Sequence, residues 1–229
     1  MSAIASNLQA VRSRIAKAAI DAGRLPGEIA LLAVSKTWPA ACVIAANQAG
    51  QRAFGENYVQ EAIDKARATA DLDLEWHFIG PLQSNKTRLI AENFAWVHSI
   101  ERLRIAERLS AQRPDSLPPL QVCVQVNVSG EASKSGCAPD EALALCQAVA
   151  ALPRLNLRGL MAIPETADDF AAQRLPFHRL REIFATVCAA GLPLDTLSMG
   201  MSHDLEAAIA EGATIVRIGT AIFGERNYA

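Results

Sequence analysis

The chain has 229 residues, of which 51% are hydrophobic and 20% are charged, and its formal net charge at pH 7 is −2. This composition predicts one globular domain over residues 1–229 with a large buried core. A nearly neutral chain lacks the basic surface that nucleic acid or an anionic membrane would attract, so we expect neither as a partner.

The first segment of the chain is predicted to be a helix. Apolar residues recur at Ile4, Leu8, Val11 and Ile15, which is the spacing of one helix face. Charged residues, Arg12 among them, interrupt this segment, which is not the pattern of a signal peptide.

Short apolar runs then alternate with amphipathic segments to the end of the chain. Strands are predicted at 29–35, 52–55, 75–79, 96–99, 121–128, 157–162, 196–199 and 215–218. Helices are predicted between them at 39–49, 58–69, 86–91, 102–112, 139–151, 170–190 and 205–211. This alternation favours an α/β fold, a single (β/α)8 TIM barrel with an extra N-terminal helix. A doubly wound open sheet is the alternative.

Polar residues concentrate where the predicted strands end, which is where barrels gather their functional groups. Lys36 follows the first strand, and a lysine desolvated there can form an imine with a carbonyl. The seventh and eighth strands run into the segments 198–202 and 219–220, rich in Ser, Gly and Thr, and free amides at such helix starts suit a phosphate. An amine and a phosphate site together suggest pyridoxal 5'-phosphate, which carries an aldehyde and a phosphate.

Each of these features also has an ordinary interpretation. Lys36 could be a surface lysine at a strand end, and the segment 198–202 could be a plain turn. Arg217 lies within an apolar strand, where a charge is costly unless it is paired, so it is either in a structural ion pair or functional. We favour a buried functional role for Arg217.

The histidines and cysteines give no sign of a metal site. Four histidines lack a metal-ligand spacing, and five cysteines contain no C-x-x-C pair. No apolar run approaches the roughly 18 residues of a membrane-spanning helix. We therefore expect no metal and a cytoplasmic protein with reduced thiols.

Seven stretches resemble the pyridoxal-phosphate homeostasis protein family, single-domain relatives of the alanine racemase barrel. They are Ala-Val-Ser-Lys-Thr at 33–37, Phe-Gly-Glu-Asn-Tyr-Val-Gln-Glu at 54–61, Trp-His-Phe-Ile-Gly-Pro-Leu-Gln-Ser-Asn-Lys at 76–86, Val-Asn-Val-Ser at 126–129, Ser-Lys-Ser-Gly at 133–136, Gly-Leu-Met-Ala-Ile at 159–163, and nearly all of 197–228. The resemblance implies a barrel like the alanine racemase N-terminal domain.

The resemblance also implies a role for each residue of the site. Pyridoxal 5'-phosphate would be carried as a Schiff base on Lys36, with Arg217 beside its pyridine nitrogen and Asn57 near the imine side of the ring. The phosphate would lie among Ser198, Ser202, Gly219, Thr220 and the amide of Met201. Trp38 stands where many members carry a second lysine, which puts transfer through a second amine in doubt. Lys86 and Lys134 are the other amines in matching segments.

The function implied is intracellular storage and delivery of the cofactor by a monomer without catalytic residues, with pyridoxal-phosphate-dependent apo-enzymes as candidate recipients. Alanine racemase is similar over this barrel but continues into a second domain that supplies a catalytic tyrosine. This chain has only Tyr58 and Tyr228, so we expect one face of the cofactor to lack an acid–base group. The alternatives are an amino-acid racemase dependent on pyridoxal phosphate and, from another class, a Schiff-base aldolase for a phosphorylated sugar.

Overall fold

Eight parallel strands close into one barrel in the order β1 to β8, with β8 pairing back to β1. The computed structural model describes residues 2–129 and 135–225. The strands are β1 (Ala30–Val34), β2 (Ala53–Glu56), β3 (Glu75–Phe78), β4 (Trp96–Ile100), β5 (Leu120–Gln125), β6 (Leu155–Met161), β7 (Thr196–Ser198) and β8 (Ile215–Ile218). The helices are α1 (Ala3–Asp21), α2 (Ala40–Gln48), α3 (Val59–Ala68), α4 (Thr87–Asn93), α5 (Leu103–Gln112), α6 (Ala142–Ala150), α7 (Phe170–Ala189), α8 (Leu205–Ala210) and α9 (Thr220–Phe223).

The predicted (β/α)8 barrel with its extra N-terminal helix is confirmed, and the open doubly wound sheet is not the fold. All eight predicted strands are present, although the fifth ends at Gln125 because Val126 leaves the ladder for an isolated bridge with Cys137. The predicted helix at 139–151 begins as a 3-10 turn, Pro139–Glu141, before α6. The short helix α9 and the 3-10 turn Pro26–Glu28 were not predicted.

Side chains alternate along the strands between the barrel interior and the ring of helices, as the period of two requires. Leu32, Val34, Ile79 and Ile215 pack with one another as one small cluster. Intervening residues such as Ala33 belong instead to the large core shared with the helices. The polar residues of the site occupy the same alternate positions along the strands as this small cluster. Their side chains therefore share the barrel interior with it.

Helix α1 and the turn that follows it are attached to the ends of three other helices. Arg12 donates to the carbonyl of Ala49 after α2 at 3.0 Å, and Arg24 donates to that of Ala213 after α8 at 2.8 Å. Asn7 donates to the carbonyl of Ile222 in α9 at 2.9 Å. These side chains satisfy carbonyls that have no partner within their own helices. Within the described ranges, no helix combines the length and apolar character needed to span a membrane.

Candidate functional site

A cavity of about 210 Å3 opens where the strands end, beside the loops that follow β1, β2, β7 and β8. Seven of the eight predicted site residues line it, together with three apolar side chains and one histidine. The predicted residues are Lys36, Asn57, Met201, Ser202, Arg217, Gly219 and Thr220, and the others are Val34, Ile79, Ile163 and His203. The volume lies below the roughly 300 Å3 at which sites for drug-sized ligands begin, so it suits one small molecule.

Lys36 is half-buried and directly follows β1. Hydrogen bonds from neighbouring residues hold the backbone that carries it. The Nζ of Lys65 donates to the carbonyl of Ser35 at 2.6 Å and to Glu56 and Glu61 at 2.7 and 2.6 Å. The next residue, Thr37, has a φ of +69° and donates its amide to Glu61. A left-handed threonine is costly, and these bonds hold the turn in place.

This buried ion-pair network was not predicted from the sequence. Its signals were present, because Glu61 and Lys65 stand four residues apart on a helix and Glu56 ends β2. Glu56 is fully buried, and burial raises the pKa of its carboxyl although Lys65 opposes the shift. The network gives Lys36 a rigid attachment to the barrel.

Asn57 offers a hydrogen-bond acceptor to the cavity. Its Oδ1 is buried, and no partner is found for it among the described residues. Gly80 packs against the backbone of Asn57 so closely that a Cβ at position 80 would overlap the Asn57 carbonyl. A buried amide oxygen without a partner is uncommon in native structures and fits a ligand that donates to it.

The two turns after β7 and β8 form the side of the cavity that suits an anion. Ser202 and Thr220, which both carry hydroxyls, line this side of the cavity. Gly219 precedes α9. The first backbone amides of α9 have no carbonyl one turn earlier in the helix to which they could donate. The amide of Met201, which the resemblance assigned to the phosphate, instead donates to Asp204 Oδ1 at 2.6 Å. Met201 therefore lines the cavity, while its amide shapes the turn.

Helix α1 also supports the first of these turns. Arg14 donates to the carbonyl of Ser202 with both terminal nitrogens at 3.3 Å and pairs with Glu206 at 2.8 Å. Asn7 supports α9 at the second turn through its bond to Ile222. The extra helix is thus linked to both of the turns beside the cavity.

Arg217 points from β8 into the barrel and is 4% exposed. Its Nη1 donates to Ser198 Oγ at 2.8 Å, and its Nη2 donates to the carbonyl of Ala162 at 2.9 Å. Burial lowers the pKa of the guanidinium to about 10, with Asp204 opposing the shift. Arg217 is therefore still a cation at neutral pH.

Ser198 is the one predicted site residue that does not line the cavity. It is fully buried within the barrel, where its Oγ accepts from Arg217 and lies 2.7 Å from His98 Nδ1. It was predicted as a phosphate residue of the segment 198–202, whereas it is the last inward-facing residue of β7. The period of two along β7 was the signal that could have separated it from Ser202.

Two further residues named from the sequence, Lys86 and Trp38, do not line the cavity. Lys86 precedes α4 and is not part of the lining, and Trp38 stacks on Phe223 with ring centroids 6.1 Å apart. Lys134 and Tyr228 fall outside the described residues. No group of three or more metal-ligating side chains occurs within residues 2–129 and 135–225.

Comparison with known proteins places the chain in one family. A family model for the alanine racemase N-terminal domain matches residues 1–227. A pyridoxal phosphate homeostasis protein of Pseudomonas aeruginosa is 64% identical over all of this chain and 98% of its own length. One from Escherichia coli K12 is 56% identical over all of this chain and 99% of its own.

A solved structure has the same fold at lower identity. PipY of Synechococcus elongatus, with PLP bound, superposes with a TM-score of 0.85 at 40% identity. The match covers 96% of this chain and all of that one.

The histidines inside the barrel make stability depend on pH. Burial lowers the pKa of His77, and burial with its neighbours His77 and Arg217 lowers that of His98 well below its usual value of 6.5. Below about pH 6.5 these histidines take up protons in the unfolded chain but stay neutral in the folded chain. We expect the free energy of unfolding to fall by up to about 1.4 kcal/mol per pH unit per histidine between pH 6.5 and 5.

Urea denaturation at a series of pH values measures this slope. His98→Gln should make it shallower, whereas Ser110→Ala, at a buried position that does not titrate, should leave it unchanged. Equal slopes in the two variants would contradict the expectation.

Proposed function

Because the chain belongs to the pyridoxal phosphate homeostasis protein family, we propose that it binds pyridoxal 5'-phosphate in the cavity at the strand ends and stores and delivers this cofactor. The observation that carries the proposal is the meeting of an amine, a buried cation and two hydroxyl-bearing turns in one small cavity. Each of these groups corresponds to one part of the cofactor. The relatives of P. aeruginosa and E. coli and the structure of PipY with PLP bound support the same ligand.

Lys36 is the proposed attachment residue. When bound, the cofactor supplies an aldehyde that condenses with a primary amine. Lys36 brings an amine to the cavity wall, and the network of Lys65, Glu56 and Glu61 limits the movement of its backbone. A rigid backbone lowers the entropy lost when the side chain is held by a ligand.

The phosphate is proposed to lie between the turns after β7 and β8. Ser202 and Thr220 would donate their hydroxyls, and the first amides of α9 after Gly219 would add backbone donors. Asn57 would accept a hydrogen bond through its buried Oδ1 near the amine. Ser198 has no place in this set, because its hydroxyl lies inside the barrel.

Arg217 is proposed to face the pyridine nitrogen. A guanidinium that stays charged opposes protonation of a neighbouring ring nitrogen by like-charge repulsion. An unprotonated ring is a weaker electron sink, which discourages carbanion chemistry at an amino-acid α-carbon. The residue thus favours binding over catalysis.

The proposed role is that of a carrier without substantial turnover. Racemisation needs an acid–base group on each face of the ring. Apart from Arg217, the described cavity lining holds two titratable side chains, Lys36 and His203, and Tyr58 is outside it and 57% exposed. The presence of His203 favours an amino-acid racemase as the second candidate, with Lys36 and His203 as its two proton-transfer groups.

We further infer that the protein acts as a single-domain monomer in the cytoplasm. Apo-enzymes that depend on pyridoxal phosphate are its proposed recipients. A small open cavity that holds the cofactor with few groups is compatible with release to a protein that binds it more tightly.

Lys36→Ala is expected to abolish cofactor attachment. The purified protein should show an imine absorption band, and borohydride should fix the cofactor to Lys36. The variant should show neither, and Lys86→Ala should behave like the unaltered protein. Absorbance and peptide mapping test this, and an adduct on Lys86 or Lys134 would overturn the assignment. A protein that stays colourless with the cofactor would favour the Schiff-base aldolase.

Ser202→Ala is expected to weaken binding only of ligands that carry the phosphate. Loss of a hydrogen bond to a charged group costs about 1.5–3 kcal/mol, or roughly tenfold or more in affinity. Titration with pyridoxal 5'-phosphate should show this loss, while titration with pyridoxal, which has no phosphate, should not. Equal losses for both ligands would place the phosphate elsewhere.

The holo-protein is expected not to exchange amino-acid α-protons at enzymatic rates. Incubation with several L-amino acids in deuterated water, followed by mass spectrometry and chiral analysis, measures exchange and D-isomer. Exchange at roughly 1 per second or faster would establish the racemase instead. In that case His203→Gln should abolish it, because His203 would be the second proton-transfer group.

A further inference from the structure

A continuous row of hydrogen-bonding side chains crosses the barrel interior. Glu75 Oε1 lies 2.8 Å from His77 Nε2, and His77 Nδ1 lies 2.9 Å from His98 Nε2. His98 Nδ1 lies 2.7 Å from Ser198 Oγ, which is 2.8 Å from Arg217 Nη1. The row starts at a cleft of about 600 Å3 at the opposite barrel end, which Glu75 lines, and ends at the site cavity. We call these five residues the relay.

With both imidazoles neutral, the two ends of the relay allow only one direction for its hydrogen bonds. A guanidinium can only donate and a carboxylate can only accept. Glu75 accepts from His77 Nε2, so a neutral His77 accepts at Nδ1 from His98 Nε2. A neutral His98 in turn accepts at Nδ1 from the hydroxyl of Ser198, whose oxygen accepts from Arg217. Every group between the ends gives one proton and accepts one.

We propose that the relay positions Arg217 for the cofactor, with His77 and His98 both neutral and both protonated on Nε2. Ser198, His98 and His77 are positioning residues, because they act on the ligand through Arg217. The part of the proposal that concerns the cofactor rests on the proposed function, whereas the tautomers do not.

The surroundings of both histidines favour the neutral state. His77 and His98 are 3% and 0% exposed, and His77 stacks on Trp96 with ring planes 5° apart. Burial lowers the pKa of each ring. Hydrogen bonding to His77 lowers the pKa of Glu75, which keeps the acceptor end ionised. The other charged or titratable groups near the two ends are Arg158, Asp195, Cys123 and Asp204.

The direction of the relay explains why Ser198 is unsuited to the phosphate. Its single proton is committed to His98, and its oxygen accepts from Arg217. Arg217 in turn donates from one nitrogen to Ser198 and from another to the carbonyl of Ala162. Two fixed acceptors define the plane of the guanidinium, and such preorganisation reduces the ordering that binding must supply.

Nuclear magnetic resonance of the protein labelled with 15N-histidine tests the tautomers without any cofactor. Two-bond 1H–15N correlations at pH 7 should show a bare Nδ1 and a protonated Nε2 in both rings. The four histidines can be assigned with single Gln variants. A proton on Nδ1 of either buried ring, or a doubly protonated ring, would overturn the proposal.

Ligand truncation tests the positioning role. Ser198→Ala should weaken binding of pyridoxal 5'-phosphate and of pyridoxal by the same factor, at least roughly threefold, because both ligands carry the pyridine ring. The internal hemiacetal of pyridoxal affects every variant equally and cancels in the ratio. Ser110→Ala is the matched control, since Ser110 is also buried but donates to Pro153 beyond α5.

The outcomes separate this inference from the proposed function. Weaker binding of pyridoxal 5'-phosphate alone would make Ser198 a phosphate ligand, and unchanged binding of both would remove its positioning role. Either result overturns the inference and leaves the proposed function standing. If the unaltered protein binds neither ligand, the proposed function and the positioning role fail together. Nuclear magnetic resonance still tests the two histidine tautomers in that case.

Discussion

The burial of the Arg217 guanidinium is the constraint around which the barrel interior is organised. Moving a cation out of water costs several kcal/mol unless hydrogen bonds replace the lost hydration. Ser198 and the carbonyl of Ala162 provide two of them, and His98 holds Ser198 in turn. Inward positions that could have held aliphatic side chains in an ordinary barrel therefore carry polar ones. The arrangement tolerates the charge because every member of the row has a partner.

The same principle acts on the other side of the site. Lys65 is buried between Glu56, Glu61 and the carbonyl of Ser35, so a second cation is held by strand and helix together. One network orients the residue proposed for the pyridine ring, and the other holds the backbone of the residue proposed for the aldehyde. The cavity is thus bounded by two rigid polar assemblies, with the turns after β7 and β8 completing it.

The sequence was sufficient to predict the strands, the barrel and a site near Lys36 and Ser202, because alternation and strand ends are local signals, whereas the places of Asn57 and Arg217 were predicted from the family resemblance. Ser198 was grouped with Ser202, although it lies inside the barrel, since a residue at the last inward position of a strand and one in the following loop look alike in a Ser- and Gly-rich stretch. The relay could not be predicted, because His77, His98 and Ser198 are far apart in the chain. Only the closure of the barrel brings β3, β4, β7 and β8 into one interior.

The attachment of α1 to both turns has a consequence for the order of events during folding. Asn7 donates to Ile222 and Arg14 donates to Ser202, so these contacts join residues 215 and 188 positions apart in the sequence. Strand β1 also pairs with β8, so closing the ladder requires a contact of similar separation. Such non-local pairing is slow to form. The cavity is therefore complete only after these distant segments have met.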